Sequence, residues 1–207
     1  MQQIHIQLRK ATFPMTENLT MRIPDSEDGS AIHDLASRCP PIDCNSLYCN
    51  LLQASHFRDT AIVAERQGEI RGYVTGYRLP AKQDTLFVWQ VAVSPEARGQ
   101  GLAVTMLETL LSRLPDVTAI ETTVTPNNQS SMKLFHRLAE RKNSSVHKRV
   151  LFDKEKHFGG KHEDEILLCI GPFKEKAEER TLPDDADIYN TVETTQNQFA
   201  RMKARVE

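Results

Sequence analysis

The sequence predicts a mixed α/β fold: a mostly antiparallel sheet with helices on both faces and one parallel pair of strands. Three observations carry this. Residues 86–93 are almost continuously apolar, β-branched and aromatic, the composition of a strand buried on both faces. Ser94-Pro95 stops that strand, because proline cannot donate to a ladder. Val104, Leu107, Leu110, Leu111 and Leu114 then repeat at helical spacing, and residues 119–125 read as the next strand. A crossover of that kind sets the two strands parallel.

The other elements follow in chain order. Residues 1–20 form a leader in which Ile4, Ile6 and Leu8 alternate with polar residues, as in a short edge strand, or remain unordered. Residues 21–24 end a first strand. Asp25 or Ser26 caps a helix carrying Ile32, Leu35 and Ala36, which Cys39-Pro40-Pro41 terminates. Leu51 and Leu52 centre a second helix. Residues 60–65 and 70–78 make a hairpin about Gln67-Gly68, and residues 82–84 turn into the central strand. Residues 126–131 open a helix with Met132, Leu134, Phe135 and Leu138. A polar loop at 141–145 leads to strands at 146–152 and 164–170. The domain so drawn spans residues 21–173. Residues 174–207 form a charged tail in which Ile188, Val192, Phe199, Met202 and Val206 permit a terminal helix.

Composition narrows the function. With 207 residues, 39% hydrophobic and 26% charged, the chain is of soluble globular type. A net charge of −2 leaves no electrostatic footprint for nucleic acid. No apolar run is long enough for a membrane span, and the N-terminus lacks the apolar core of a signal peptide. Cys39, Cys44, Cys49 and Cys169 lack zinc-site spacing, so no metal is expected, and free thiols in a reducing cytoplasm are the reading they favour.

The chemistry begins at Arg98-Gly99-Gln100-Gly101-Leu102-Ala103. A glycine-flanked turn entering a helix offers free N–H groups and the positive end of the helix dipole to an anion, and Arg98 adds a charged donor. Strand, proline stop, arginine, paired glycines and helix in that order favour a phosphate-bearing ligand over a plain turn. The dinucleotide fingerprint needs a third glycine, and a Walker loop needs Gly-Lys-Ser/Thr; both are missing.

Arg98, Gly101 and Ala103, placed after the fourth strand, resemble the acetyl-CoA-binding motif Arg/Gln-x-x-Gly-x-Gly/Ala of the GNAT superfamily of N-acetyltransferases. The resemblance covers roughly residues 21–173. It implies acetyl-CoA as cosubstrate, held by Val91, Ala92 and Val93 on the strand and by Arg98, Gly99, Gln100, Gly101, Leu102 and Ala103 at the turn. A backbone N–H near Val91 would meet the thioester oxygen. Asn128, with Asn127 second, matches the asparagine that bonds the pantetheine arm, though Asn also caps helices well. Many members carry a tyrosine where this chain has Phe135, beside the cofactor. Phe135 cannot protonate a departing thiolate, so that role falls to another group, to water, or to none.

A third feature is His157-Phe158-Gly159-Gly160-Lys161-His162-Glu163-Asp164-Glu165, a charged loop with two histidines and paired glycines. With Asp43-Cys44-Asn45-Ser46, Tyr48, Trp89 and Leu151-Phe152-Asp153, it resembles the diaminobutyrate acetyltransferase family of ectoine biosynthesis, a branch of GNAT. That resemblance implies transfer of acetyl to the 4-amino group of L-2,4-diaminobutyrate by a homodimer. Asp43, Asn45, Tyr48 and Trp89 would hold the acceptor, Trp89 as wall or cation–π partner unless it is core. Glu163 or Glu165 would take the proton of the attacking amine, with His157 and His162 as rival bases. Three other readings stay open: another acceptor amine, a CoA-binding regulatory module without turnover, which Phe135 favours, and an interaction protein working through its tail.

Overall fold

The structure, a computed structural model, describes residues 19–173. The expected edge strand around Ile4–Leu8 and the terminal helix at 188–206 lie outside the described residues. The strands are β1 (Leu19–Arg22), β2 (Ile62–Arg66), β3 (Glu69–Leu79), β4 (Lys82–Val93), β5 (Ala119–Val124), β6 (Val146–Phe152) and β7 (Glu165–Ile170). They form one sheet in the order β1-β2-β3-β4-β5-β7-β6, antiparallel throughout except at β4–β5. The helices are α1 (Gly29–Ser37), α2 (Leu47–Ser55), α3 (Leu102–Ser112), α4 (Gln129–Arg141) and α5 (Lys154–Phe158).

Side chains alternate across a strand, so each strand feeds two cores. Ile62, Val74, Leu86, Val88 and Ile120 meet Leu107, Leu110 and Leu138 of α3 and α4. Val63, Tyr73 and Ala92 face the other way and meet Ile32, Leu35 and Ala54 of α1 and α2. The apolar stripe Val104, Leu107, Leu110, Leu111 and Leu114 is buried throughout, as its spacing requires. Local caps set the helix starts. Asp25 and Asp28 form a capping box ahead of α1, the Ser46 hydroxyl accepts from Cys49 N–H at 3.2 Å, and the Asn128 amide oxygen accepts from Ser131 N–H at 3.1 Å.

Four expectations need correction. Residues 82–84 belong to β4, and the turn is Pro80-Ala81. β1 starts at Leu19, inside the expected leader. The stretch before β7 is not all loop: the Asp153 carboxylate accepts from the N–H groups of Glu155 and Lys156 and nucleates α5, which contains His157. β4 is not buried on both faces, because Trp89 is 45% exposed.

The cause of that last departure also shapes the site. Gln90 pairs with Thr75 and Val88 pairs with Gly76, so Trp89 is an extra residue, a β-bulge. β3 and β4 approach so closely there that a Cβ on Gly76 would lie 2.5 Å from the Phe87 carbonyl oxygen. A bulge bends its strand. β4 pairs with β5 only at Thr85↔Ala119, Leu86↔Ile120 and Phe87↔Glu121, and past that point the two strands diverge. The last link across the gap is Thr122 Oγ1–H to Val88 O at 3.0 Å.

Candidate active site

The gap between β4 and β5 is a cleft with two ends. One is a cavity of about 220 Å³ lined by Cys39, Pro40, Val93, Arg98, Ala103, Ser130 and Leu134, among others. The second, about 260 Å³, is lined by Asp43, Asn45, Trp89, Gln90, Thr122 to Thr125, Phe135 and Glu165, among others. Pro41, Ile42, Val91, Asn128 and Ser131 line both, so the two are continuous.

The first end suits a nucleotide thioester. Gly99 and Gly101 have φ of +77° and +78°, the left-handed region glycine enters freely, and nothing stands within 4 Å of where their Cβ atoms would be. The approach to α3 is thus open, and no side chain caps its first N–H groups. Arg98 turns back onto the strand end, its Nε–H donating to Val93 O at 3.1 Å. Ser94 N–H donates to Arg71 O on β3, so by two-residue alternation the N–H and C=O groups of Val91 and Val93 face the cleft. Val93 O is taken by Arg98 and by the Cys39 thiol. Val91 N–H and C=O and Val93 N–H are left as an open strand edge for the amides of a pantetheine arm. Asn128 spends its amide oxygen on Ser131 N–H and Ser130 Oγ–H, which leaves its Nδ2–H group for a ligand. Asn127 lines neither cavity.

The second end suits a small cation. Asp43 and Glu165 bring two carboxylates to it, and no lysine or arginine lines it among the described residues. Gln90, a polar residue in an otherwise apolar strand run, holds the Asp43 loop: its Nε2–H donates to Asp43 O at 2.7 Å, and its Oε1 accepts from the Tyr73 hydroxyl at 3.1 Å. Burial pushes the Tyr73 hydroxyl pKa up, so it remains a donor. The Asn45 Nδ2 group is buried without a protein partner in the wall of the same cavity. Phe135 is 3% exposed and carries no proton to give.

His162 stands beside the carboxylates, its Nε2 3.7 Å from Asp43 Oδ2 and 3.9 Å from Glu165 Oε1. Its pKa is raised above the ordinary histidine value, first by the Glu163 carbonyl accepting from Nδ1–H at 2.8 Å, then by the charges of Glu165 and Asp43.

The structure therefore gathers Asp43, Asn45, Trp89, Val91, Val93, Arg98, Ala103, Asn128, Phe135 and Glu165 along one cleft. Of the expected cofactor residues, Gly99, Gln100 and Gly101 form the turn beside the first cavity, while Ala92 and Leu102 point into the two cores and line neither cavity. Among the expected acceptor and catalytic residues, Tyr48, Glu163, His157 and the rival base His162 line neither cavity. Tyr48 is 69% exposed on the first turn of α2. Glu163 pairs with Lys154 Nζ at 3.2 Å. His157 Nδ1 accepts from Asp153 N–H at 2.7 Å, which ties the ring to its own helix. Sequence reasoning passed over Gln90, Ser131 and the run Thr122 to Thr125. The one signal was Gln90 itself, a lone amide among β-branched and aromatic neighbours.

No helix among the described residues is long and apolar enough to cross a membrane. Among them no group of three or more His, Cys, Asp and Glu is placed to hold a metal ion.

Comparison with known proteins agrees with this geometry. The acetyltransferase (GNAT) family model matches residues 29–139. An L-2,4-diaminobutyric acid acetyltransferase of Methylotuvimicrobium alcaliphilum is 51% identical over 158 residues, 75% of this chain and 92% of the relative. One of Vibrio cholerae is 47% identical over 151 residues, 72% and 87%. The solved diaminobutyrate acetyltransferase EctA of Paenibacillus lautus, in complex with L-2,4-diaminobutyric acid and coenzyme A, superposes with a TM-score of 0.72 at 39% identity, covering 76% of this chain and 97% of that one. On the strand-edge cleft, the glycine turn and these relatives, the chain belongs to the GNAT family of acetyltransferases, in the branch its diaminobutyric acid acetyltransferase relatives occupy.

Proposed function

We propose that this chain transfers the acetyl group of acetyl-CoA to the 4-amino group of L-2,4-diaminobutyrate, giving N4-acetyl-2,4-diaminobutyrate for ectoine synthesis. The carrying observation is one cleft with a diphosphate-type turn at one end and the pair Asp43 and Glu165 at the other. Acetyl-CoA, when bound, supplies an activated acetyl group. The chain supplies the rest. The N–H groups of the 99–103 turn hold the diphosphate, with Arg98 beside them. Val91 N–H donates to the thioester oxygen. Asp43 and the face of Trp89 hold the acceptor as a cation. Glu165, its side chain only 18% exposed, takes the proton that the 4-amino group must lose. Glu163 and His157 have other partners, and His162 already holds a proton below its raised pKa and so cannot take one there, which leaves Glu165. Phe135 leaves Ser131, one turn earlier on α4 and shared by both cavities, as the hydroxyl nearest in sequence to protonate the departing thiolate. Much of the acceleration is positioning.

Release of CoA thiol, measured over a panel of amines, tests the reading: L-2,4-diaminobutyrate should be used far faster than lysine-containing peptides, and exclusive use of peptides would end it. Asp43→Ala should raise the KM for diaminobutyrate about three- to tenfold, a modest change because the Asp43 side chain is 86% exposed, and leave the acetyl-CoA KM unaltered. Equal effects on both would place Asp43 elsewhere.

His162 gives the pH dependence a sign. Below its raised pKa the imidazolium offsets the charge of Asp43 and Glu165 and competes with the substrate ammonium. As pH rises through that pKa the imidazolium is lost, so the acceptor KM should fall. His162→Gln should remove this inflection from the KM profile; a variant that keeps it would assign it to another group.

The four cysteines are unpaired in the structure, which suits a reducing cytoplasm. Leu47, Tyr48 and Phe57 are exposed apolar side chains, and a second copy of the chain, forming a homodimer, is the partner we assign to them. Sedimentation over a range of concentrations tests the dimer.

A further inference from the structure

The cofactor cleft continues past the glycine turn onto α4. Ser130 and Leu134 line the cleft, and residues four and seven apart share one helix face. Arg137 extends that stripe, and Arg141 ends it with an ion pair to Glu108 of α3 at 2.7 Å. This bridge fixes the level of the two helices. Both lead away from the C-terminal ends of the parallel strands β4 and β5, so they run in the same direction. One turn before Arg141 is Arg137, and one turn before Glu108 is Val104. Arg137 therefore stands level with the first turn of α3, whose Ala103 lines the same cleft. It is exposed and makes no ion pair or side-chain hydrogen bond among the described residues. The other cations nearby are less suited. Arg98 has its Nε–H on Val93 O and stands beside the diphosphate turn, Arg141 is paired with Glu108, and Lys133, one turn before Arg137 at the edge of the stripe, offers a point charge where Arg137 offers a fork.

We infer that Arg137 binds the phosphomonoester on the ribose of the nucleotide thioester and so selects coenzyme A over its 3′-dephospho form. This rests on the acetyl-CoA reading above. A diphosphate at the 99–103 turn places the adenosine end of the ligand at the mouth of the cleft, where α3 and α4 meet the solvent. A phosphate dianion there needs a cation with several donors, and a guanidinium forks onto two of its oxygens.

The test compares acetyl-CoA with 3′-dephospho-acetyl-CoA at fixed diaminobutyrate. The wild-type KM should be about five- to tenfold lower for acetyl-CoA, with kcat alike, as expected for a charge-assisted contact in an open site. Arg137→Ala should raise the acetyl-CoA KM by that factor, leave the dephospho KM in place and abolish the discrimination. Arg137→Lys should keep part of it. Lys148→Ala, on the far strand β6, controls for net charge and should change neither KM. Equal KM values for the two thioesters in the wild type, or an Arg137→Ala effect equal on both, would overturn the assignment while leaving acetyl transfer intact. A wild-type chain that uses neither thioester would overturn the acetyl-CoA reading and Arg137 with it.

Discussion

Glu165→Gln should lower kcat for diaminobutyrate acetylation by about 10²–10⁴, the usual worth of a positioned general base, and change the acetyl-CoA KM little. The substitution keeps size and shape but removes the negative charge and with it the ability to take a proton, so the diaminobutyrate KM should also rise. Glu165 is the first residue of β7 and lines the acceptor end of the cleft, where an attacking amine must stand. The loss should shrink as pH rises, because the fraction of amine already neutral grows. Glu163→Gln is the comparison. Glu163 pairs with Lys154 on the surface, so its loss should leave kcat within about twofold, the scale of an exposed ion pair. If Glu163→Gln gave the large loss and Glu165→Gln the small one, the catalytic assignment would be reversed.

Gly101→Asp should raise the acetyl-CoA KM by about 10²-fold or more. Gly101 is the residue before α3 and has φ +78°, a conformation aspartate tolerates better than most residues. Aspartate is also a favoured helix cap, and open space surrounds the position. The left-handed backbone strains any side chain there by about 1–3 kcal/mol, so the variant should fold with a modestly lowered Tm. Its carboxylate would face the diphosphate at short range, where like charges repel by several kcal/mol at the effective dielectric of a protein surface. Titration of acetyl-CoA with folded variant reads the effect directly. A KM within about twofold of wild type would mean that the turn is only structural, since even one lost charge contact exceeds that.

The sequence revealed the cofactor end of the cleft more fully than the acceptor end, and the reason is physical. The strand, its proline stop, the two glycines and the α3 stripe form a local unit, each part placed by its immediate neighbours. The β2–β3 hairpin and the parallel β4–β5 pair followed from the Gln67-Gly68 turn and the α3 crossover, while the order β5-β7-β6 beyond them rests on long-range pairing. The exposure of Trp89 did not follow, because its bulge arises from the register of β4 against β3 and the close approach at Gly76. Glu163 and Glu165 differ by two positions and share a composition. What separates them is where β7 begins and which carboxylate α5 captures through Lys154. Asp43 sits in a loop whose place is set by Gln90, across 47 positions of chain. A contact of that range leaves no local pattern. His157 was drawn into the acceptor site by its neighbours in sequence, and its own helix α5 holds it away from the cavity lining.

Nitrogen-resolved NMR of the product made from ¹³C-acetyl-CoA and L-2,4-diaminobutyrate bears most directly on the central claim. The label should appear as an amide at the 4-nitrogen, with one CoA thiol released for each amide formed. An acetyl group on the 2-nitrogen, or no amide while thiol is released, would contradict it.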